Sequence, residues 1–427
     1  QVSAQMSRIH KSILSNGIKV ITEEMPDSES SSIGIWVMTG SRNEGPRTNG
    51  LSHFIEHMLF KGTKKRSALD ISLEIESAGG VLNAFTGREY TCFYAKVLNR
   101  DMFRAVDLLS DIYMNSVFDQ GEIEKEKSVV LQEIKLVEDT PDDIIHDLFA
   151  ERFWNGHALG RPVLGSADII KSVRKKDCLK YFKSRYRPDG VFVTSAGGAR
   201  HSSIVRLLDP LMGKTSRSAV LGKDAAPLPK TGVWLYGKDL EQVHMCAGVP
   251  MPPQTHSDRY KAYLLNTILG GGMSSRLFQE IREKRGRAYS VYSYLNLFRD
   301  AGALTVYAGT SRQGFKEAVG LIIAEFEKLK SKGVTRAELK NAKSQLKGGM
   351  LLGLESSDSR MTKLAKDEIY FKRAVPVREI IKSIDSVTVE DMKDAARRFC
   401  VPEKLAIVAT GKVKESDLPH GLKAKLL

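Results

Sequence analysis

His53, Glu56 and His57 form the pattern His-x-x-Glu-His inside the apolar stretch 50–60, Gly-Leu-Ser-His-Phe-Ile-Glu-His-Met-Leu-Phe. On an α-helix the two histidines lie ~40° apart in projection and about 6 Å apart along the axis. Glu56, three residues after His53, shares their face. Leu51, Phe54, Ile55, Met58 and Leu59 cover the rest of the circumference, so this helix is expected to be largely buried. Two imidazoles and a carboxylate in such a setting are costly unless something compensates them. A zinc ion does so, because neutral imidazole nitrogens ligate it at ~2.0–2.1 Å. The glutamate is then placed to take a proton from water, as in the reversed arrangement His-Glu-x-x-His. Over five residues alone, two satisfied core histidines beside a surface glutamate read the same way.

A catalytic zinc needs a third protein ligand and an open position. Glu126 and Glu133 are seven residues apart, about two helical turns, and so stack on one face. Val129, Val130 and Ile134 lie near them, which predicts an inward-packed face rather than a solvated stripe. Glu122 and Glu124 read as surface charges.

The elements that must position these groups form a repeat. Strand-like stretches at 33–38, 81–85 and 90–97 have counterparts at 243–249, 288–296 and 303–308. The openings of two long helices, at 118–123 and 334–339, lie 216 residues apart. Thr335 with Glu338 makes a capping box, and Asp119 with Glu122 its equivalent. A period this long means duplication of a whole domain rather than a solenoid. The expected fold is α+β, two duplicated domains, each a mainly antiparallel β-sheet packed with α-helices. We expect a zinc-binding domain at 1–215, a Gly/Pro/Ala/Lys linker at 216–231 and a second domain at 232–427. The 216-residue offset carries His53, Glu56, His57, Glu126 and Glu133 onto Leu269, Gly272, Met273, Ala342 and Gly349, so only one half holds a metal set.

Composition excludes several classes. The 427 residues are 42% hydrophobic and 27% charged, which supports folded domains rather than disorder. No apolar run approaches the ~20 residues of a membrane span. Cys92, Cys178, Cys246 and Cys400 are scattered with no CxxC pair, which suits reduced core thiols. The net charge of +14 permits anionic partners, yet no RNA-binding aromatic signature or zinc-finger spacing is present, so no nucleic acid is expected. The stretch 1–9 shows neither a secretory core nor a transit pattern, and residues 1–5, ahead of Met6, read as an expression remnant. Gly270, Gly271 and Gly272 are followed by no Lys-Ser/Thr pair, against a phosphate loop. His146 reads as a helical surface partner of Asp142 or Asp143, and His157 as a structural turn residue.

His53-Phe54-Ile55-Glu56-His57, with Glu133 76 residues on, resembles the pitrilysin/insulinase metallopeptidases. Context is most similar to the branch of the mitochondrial processing peptidase catalytic (beta) subunit and its bacterial relatives. The resemblance spans nearly the whole chain, through 50–63, 79–86, 126–133, 157–165 and 270–294. It implies His53, His57 and Glu133 as ligands of one Zn²⁺ per chain and Glu56 as general base. Glu126 matches the family's second helix carboxylate, which supports the site from behind the ligands and counts with Glu56 in the catalytic set. Asn83 and Ala84 match the edge strand on which peptide substrates pair, and Arg282 and Tyr289 the pair that binds substrate and steadies developing charge. Arg287 stands where relatives commonly have Leu, so the local pocket departs from the pattern.

The resemblance implies a zinc-dependent endopeptidase acting on peptides or unfolded polypeptides inside a dimeric chamber, with a homodimer sharing its active sites. Two other readings are a presequence-processing catalytic subunit working with a different chain, and a non-enzymatic core or scaffold subunit of the same fold. The complete metal set opposes the scaffold reading. The expected location is the bacterial cytoplasm, with the mitochondrial matrix as alternative.

Overall fold

A computed structural model describes residues 8–213 and 225–422. The remnant expected at 1–5, and residues 216–224 of the expected linker, lie outside the described residues.

The strands follow the alternating apolar runs. β1 (Arg8–Ile13), β2 (Lys19–Glu24), β3 (Ser30–Val37), β4 (Val81–Thr86), β5 (Thr91–Leu98) and β6 (Val191–Gly197) form one sheet. Its order is β1-β2-β6-β3-β5-β4. A second sheet is built from β7 (Gly232–Gly237), β8 (Val243–Met251), β9 (Ala288–Leu297), β10 (Gly302–Thr310) and β11 (Ala406–Gly411), in the order β7-β11-β8-β10-β9. Removing β1 makes the two orders identical. Each sheet has one parallel pair, β2–β6 and β7–β11, and is otherwise antiparallel. The expected α+β duplication is therefore present as a repeated topology.

Among the helices that build the site or cover the sheets are α1 (Leu51–Leu59), α2 (Gln120–Asp139), α3 (Pro141–Phe153), α4 (Arg259–Gly270), α5 (Arg336–Gly353) and α6 (Ser357–Phe371). The second long-helix start is capped as the sequence predicts, with Thr335 and Glu338 exchanging hydrogen bonds reciprocally. At the first, Asp119 accepts from the N–H groups of Gly121 and Glu122, but the Glu122 carboxylate pairs with Lys125, so only half of the expected box forms.

Packing divides the chain differently from the repeat. One compact unit comprises Gln1–Lys135, Arg161–Asp224 and Gly353–Ala374; the other comprises Leu136–Gly160, Ala225–Leu352 and Val375–Leu427. Each half thus lends one helix to the other half's sheet. Ile145, Phe149 and Phe153 of α3 pack on Cys246, Ala303, Tyr307 and Val408 of the second sheet. Met361, Ala365 and Ile369 of α6 pack on Trp36, Cys92, Phe192 and Ala196 of the first. The two lent helices start 216 residues apart, the same offset as the repeat.

The physical reason lies in the strands. On β3, Ile33, Ile35 and Val37 point into the core that contains α1, while Trp36 points to the α6 side. Both faces of the sheet are apolar, and a helix of complementary face must cover each. Each fully buried Phe, Met or Ile so placed contributes ~1.5–3 kcal/mol.

Candidate metal centre and catalytic site

α1 begins where two chain segments nearly touch. Gly50 has φ of +97°, and a Cβ there would meet Leu164 O at 2.7 Å. Gly165, φ +80°, would in turn strike Asn49 O at 2.4 Å. Neither position tolerates a side chain. Because Gly50 has no side chain to cap the helix, the cap comes from a distance. Glu44 accepts from the N–H of Gly50 at 2.7 Å, the N–H of Ser52 at 2.6 Å and the Asn49 amide at 3.0 Å. A buried carboxylate on these helix-terminal donors satisfies groups that would otherwise be orphaned. Glu44→Ala is therefore expected to destabilise the protein by roughly 3 kcal/mol, since each stranded buried donor costs about 1–3 kcal/mol. Denaturant unfolding measures this, and a change under ~0.5 kcal/mol would remove Glu44 from the helix cap.

From that anchored start, α1 presents His53 and His57 on one face, with ring centroids 4.5 Å apart. Their Nε2 atoms are 3.2 Å apart. Glu133 brings Oε2 to 3.8 Å from His53 Nε2 and 3.6 Å from His57 Nε2. Ligand atoms ~2.0–2.1 Å from a tetrahedral ion sit about 3.3 Å from one another, so this triangle fits zinc. Among the described residues no other group of three such side chains converges in this way. His53 is held neutral, its pKa lowered to about 3 by burial and by His57 beside it. Its Nδ1 is buried without a hydrogen-bond partner among the described residues. His57 is anchored instead: Nδ1 sits 2.8 Å from Glu126 Oε1. Burial lowers the His57 pKa, but the Glu126 hydrogen bond and the charges of Glu133, Glu126 and Glu56 outweigh it, so the net shift is upward.

Glu126 is itself buried, and its second oxygen, Oε2, lies 2.7 Å from Lys61 Nζ. Burial works to raise its pKa, and the bonds to His57 and Lys61 prevail and lower it. Glu56 accepts a hydrogen bond from Thr86 Oγ1 at the end of β4. Burial raises the Glu56 pKa, and that bond and the charge of His57 oppose the rise. The inward stripe of α2 runs Ile123, Glu126, Val130 and Ile134. Val129, expected to join it, is exposed because it lies ~100° round the helix from Val130. Glu122 and Glu124 pair with Lys125 and Lys127 on the surface, as expected.

Asn83 and Ala84 lie on β4, the edge strand of the first sheet, whose outer side pairs with no strand among the described residues. The Asn83 carboxamide oxygen accepts from the Ala84 N–H at 2.8 Å. In the other unit, a π-helical turn, Phe278–Glu283, carries Arg282. Its guanidinium lies 5.5 Å from the Tyr289 ring centroid. Pairing of β9 with β10 slips between Gly309 and Thr310, leaving Tyr289 without an opposite residue. That bulge turns Tyr289 outward, 79% exposed. Arg287 is taken up by an ion pair with Glu317.

The second unit repeats the helices without the chemistry. α4 contains no His, Cys, Asp or Glu, and the one carboxylate on α5, Glu338, is bound by Arg276. Gly270 is small because β9 passes beside it, where a Cβ would meet Ser293 N at 2.5 Å. His157 serves its turn, accepting from the Leu159 N–H at 3.1 Å. His146 is a correction. Rather than pairing with Asp142 or Asp143 on the surface, it is mostly covered and bonds the Tyr294 hydroxyl at 2.7 Å through Nδ1. The reason is the lent helix: the face of α3 carrying His146 lies against a sheet that sequence spacing does not reveal. Glu44, Lys61 and Thr86 were missed by sequence reasoning, since no short-range spacing ties them to the histidine helix.

Fold and site together define a class, α+β proteins with a duplicated sheet unit and, in one copy, a His-x-x-Glu-His helix whose histidines converge with Glu133 in a group that could hold a metal ion. Residues 19–167 match the family described as insulinase (peptidase family M16), and residues 172–346 the peptidase M16 inactive domain. A Bacillus subtilis protein named "uncharacterized zinc protease YmxG" is 39% identical over 395 residues, 92% of this chain and 96% of its own length. A Mycobacterium tuberculosis protein named "uncharacterized zinc protease Rv2782c" is 38% identical over 421 residues, 97% and 96% of the two chains. The chain belongs to the M16 (insulinase) peptidase family. Among solved structures, a protease from Helicobacter pylori matches with a TM-score of 0.88 at 23% identity, over 95% of this chain and 99% of that one. A chain of complex III2 from Candida albicans matches with a TM-score of 0.86 at 20% identity, over 98% and 100%. Both are likenesses of fold.

Proposed function

We propose that this protein is a zinc-dependent endopeptidase that hydrolyses peptides or unfolded polypeptides in extended form, as a homodimer whose chamber shares its active sites. The observation that carries the reading is the convergence of His53, His57 and Glu133 donor atoms, with Glu56 on the same helix. Relatives named zinc proteases over nearly the full length support it. When bound, one zinc ion per chain supplies Lewis-acid polarisation of the scissile carbonyl and lowers the pKa of water towards ~7.

The chain's own groups do the rest. Glu56 takes the proton of the attacking water and passes it to the leaving amine. Glu126 keeps a proton on His57 Nδ1, so that Nε2 faces the metal. Asn83 and Ala84 offer the free side of β4 to an extended substrate, which adds as a further strand. Arg282 and Tyr289 donate hydrogen bonds to the developing oxyanion, about 2.7–4 kcal/mol for one such donor. Strand addition reads backbone, so selectivity is for flexible chains more than for side chains.

No described helix is long and apolar enough to cross a membrane. All four cysteines are buried and unpaired, which supports a reducing compartment, the bacterial cytoplasm in this reading. The test is a quenched-peptide assay with and without chelator. Cleavage is expected to vanish with chelation and to return on adding zinc; chelator-insensitive cleavage would overturn the reading.

A further inference from the structure

Lys61 stands just beyond the end of α1, its backbone N–H bonded to Met58 O at 3.1 Å. Its side chain turns back to the metal centre. Lys61 Nζ lies 2.7 Å from Glu126 Oε2, and Glu126 Oε1 lies 2.8 Å from His57 Nδ1. The Glu126 carboxylate is 4% exposed, whereas Lys61 keeps 31% of its side chain in solvent. Each carboxylate oxygen is therefore taken by one strong donor.

We propose that Lys61 is a positioning residue for the metal centre, holding Glu126 in the orientation that fixes the His57 imidazole. This rests on the zinc reading above. Three features carry it. A carboxylate this deep is stable only with compensation on both sides, and one imidazole supplies half of that. His53 has no partner at its Nδ1 among the described residues, so His57 alone is oriented by the protein through its far nitrogen. Charge is the third: Glu56, Glu126 and Glu133 bring three negative charges, a divalent cation two positive ones, and Lys61 supplies the remaining one. The ammonium sits on the outer side of Glu126, away from His57, and so steadies the carboxylate without competing for the imidazole.

The partners that orient a metal-bound histidine typically set metal affinity by 10–100-fold. Lys61→Met should weaken zinc binding about tenfold, measured by competition with a chromogenic chelator, with no peptide present. Lys61→Arg should restore most of the affinity, since a guanidinium can reach the same oxygen. The decisive arm is a double-mutant cycle. Glu126→Gln alone should weaken zinc binding by 10–100-fold, and adding Lys61→Met should cost nothing further. Circular dichroism of the metal-free variants separates a folding defect from a binding one. If Lys61→Met binds zinc as the parent does, or if the two losses multiply in the double variant, Lys61 does not act through Glu126. If the parent itself binds no zinc, it is the metal reading that fails.

Discussion

Glu56→Gln protein is expected to keep its zinc and to cleave peptides about 10²–10⁴-fold more slowly, the usual worth of a positioned general base. The side chain is not one of the three converging ligands, and its oxygen is held by Thr86 from the end of β4. A carboxamide preserves shape and still accepts from Thr86, so neither fold nor metal has cause to change. What it lacks is basicity. Zinc content by elemental analysis, together with kcat/KM on a quenched peptide, separates the roles: metal retained and turnover lost is the expected pair. Full turnover in this variant would move the proton transfer to another group and remove Glu56 from the mechanism.

Tyr289→Phe is expected to lose about 10²–10³-fold in kcat, because one oxyanion donor is worth about 2.7–4 kcal/mol. The residue sits at a β-bulge, exposed, with the Arg282 guanidinium against its ring, positioned for something outside its own strand pairing. In the shared-site homodimer proposed above, the Tyr289 hydroxyl would serve the zinc of the other protomer. Mixing Glu56→Gln chains with Tyr289→Phe chains then rebuilds one intact site in each mixed dimer. Random reassortment gives half mixed dimers, each with one working site of two, so about a quarter of wild-type activity should return. Activity no higher than the sum of the parents after chain exchange would place Tyr289 at its own protomer's site. Dilution below the dimer dissociation constant should abolish wild-type turnover for the same reason.

Much of the centre was legible along the chain because it is built on helical periodicity. His53 and His57 at i and i+4, and Glu126 and Glu133 at two turns, are local facts that tertiary context seldom changes. The strands at 33–38, 81–85 and 243–249 were legible too, since alternation and β-branched composition survive into the sheet with ends shifted by a few residues. The absent metal set in the second half followed from residue types alone. By contrast, Val129 and His146 were misplaced. Each has a helical face whose partner is chosen by contacts made over long distances in sequence.

The amino-acid order by itself determined the kinds of chemistry present: two imidazoles and three carboxylates at helical spacing in one half, and no such set in its repeat. Only the tertiary structure decided who supports them. Glu44 caps α1 from outside it, Lys61 and Thr86 take hold of Glu126 and Glu56, and α3 and α6 each cover the sheet of the other half. The physical reason is one of range. Periodicity is set by bonded geometry over a few residues, whereas a buried donor or an apolar sheet face accepts any partner that burial brings to it.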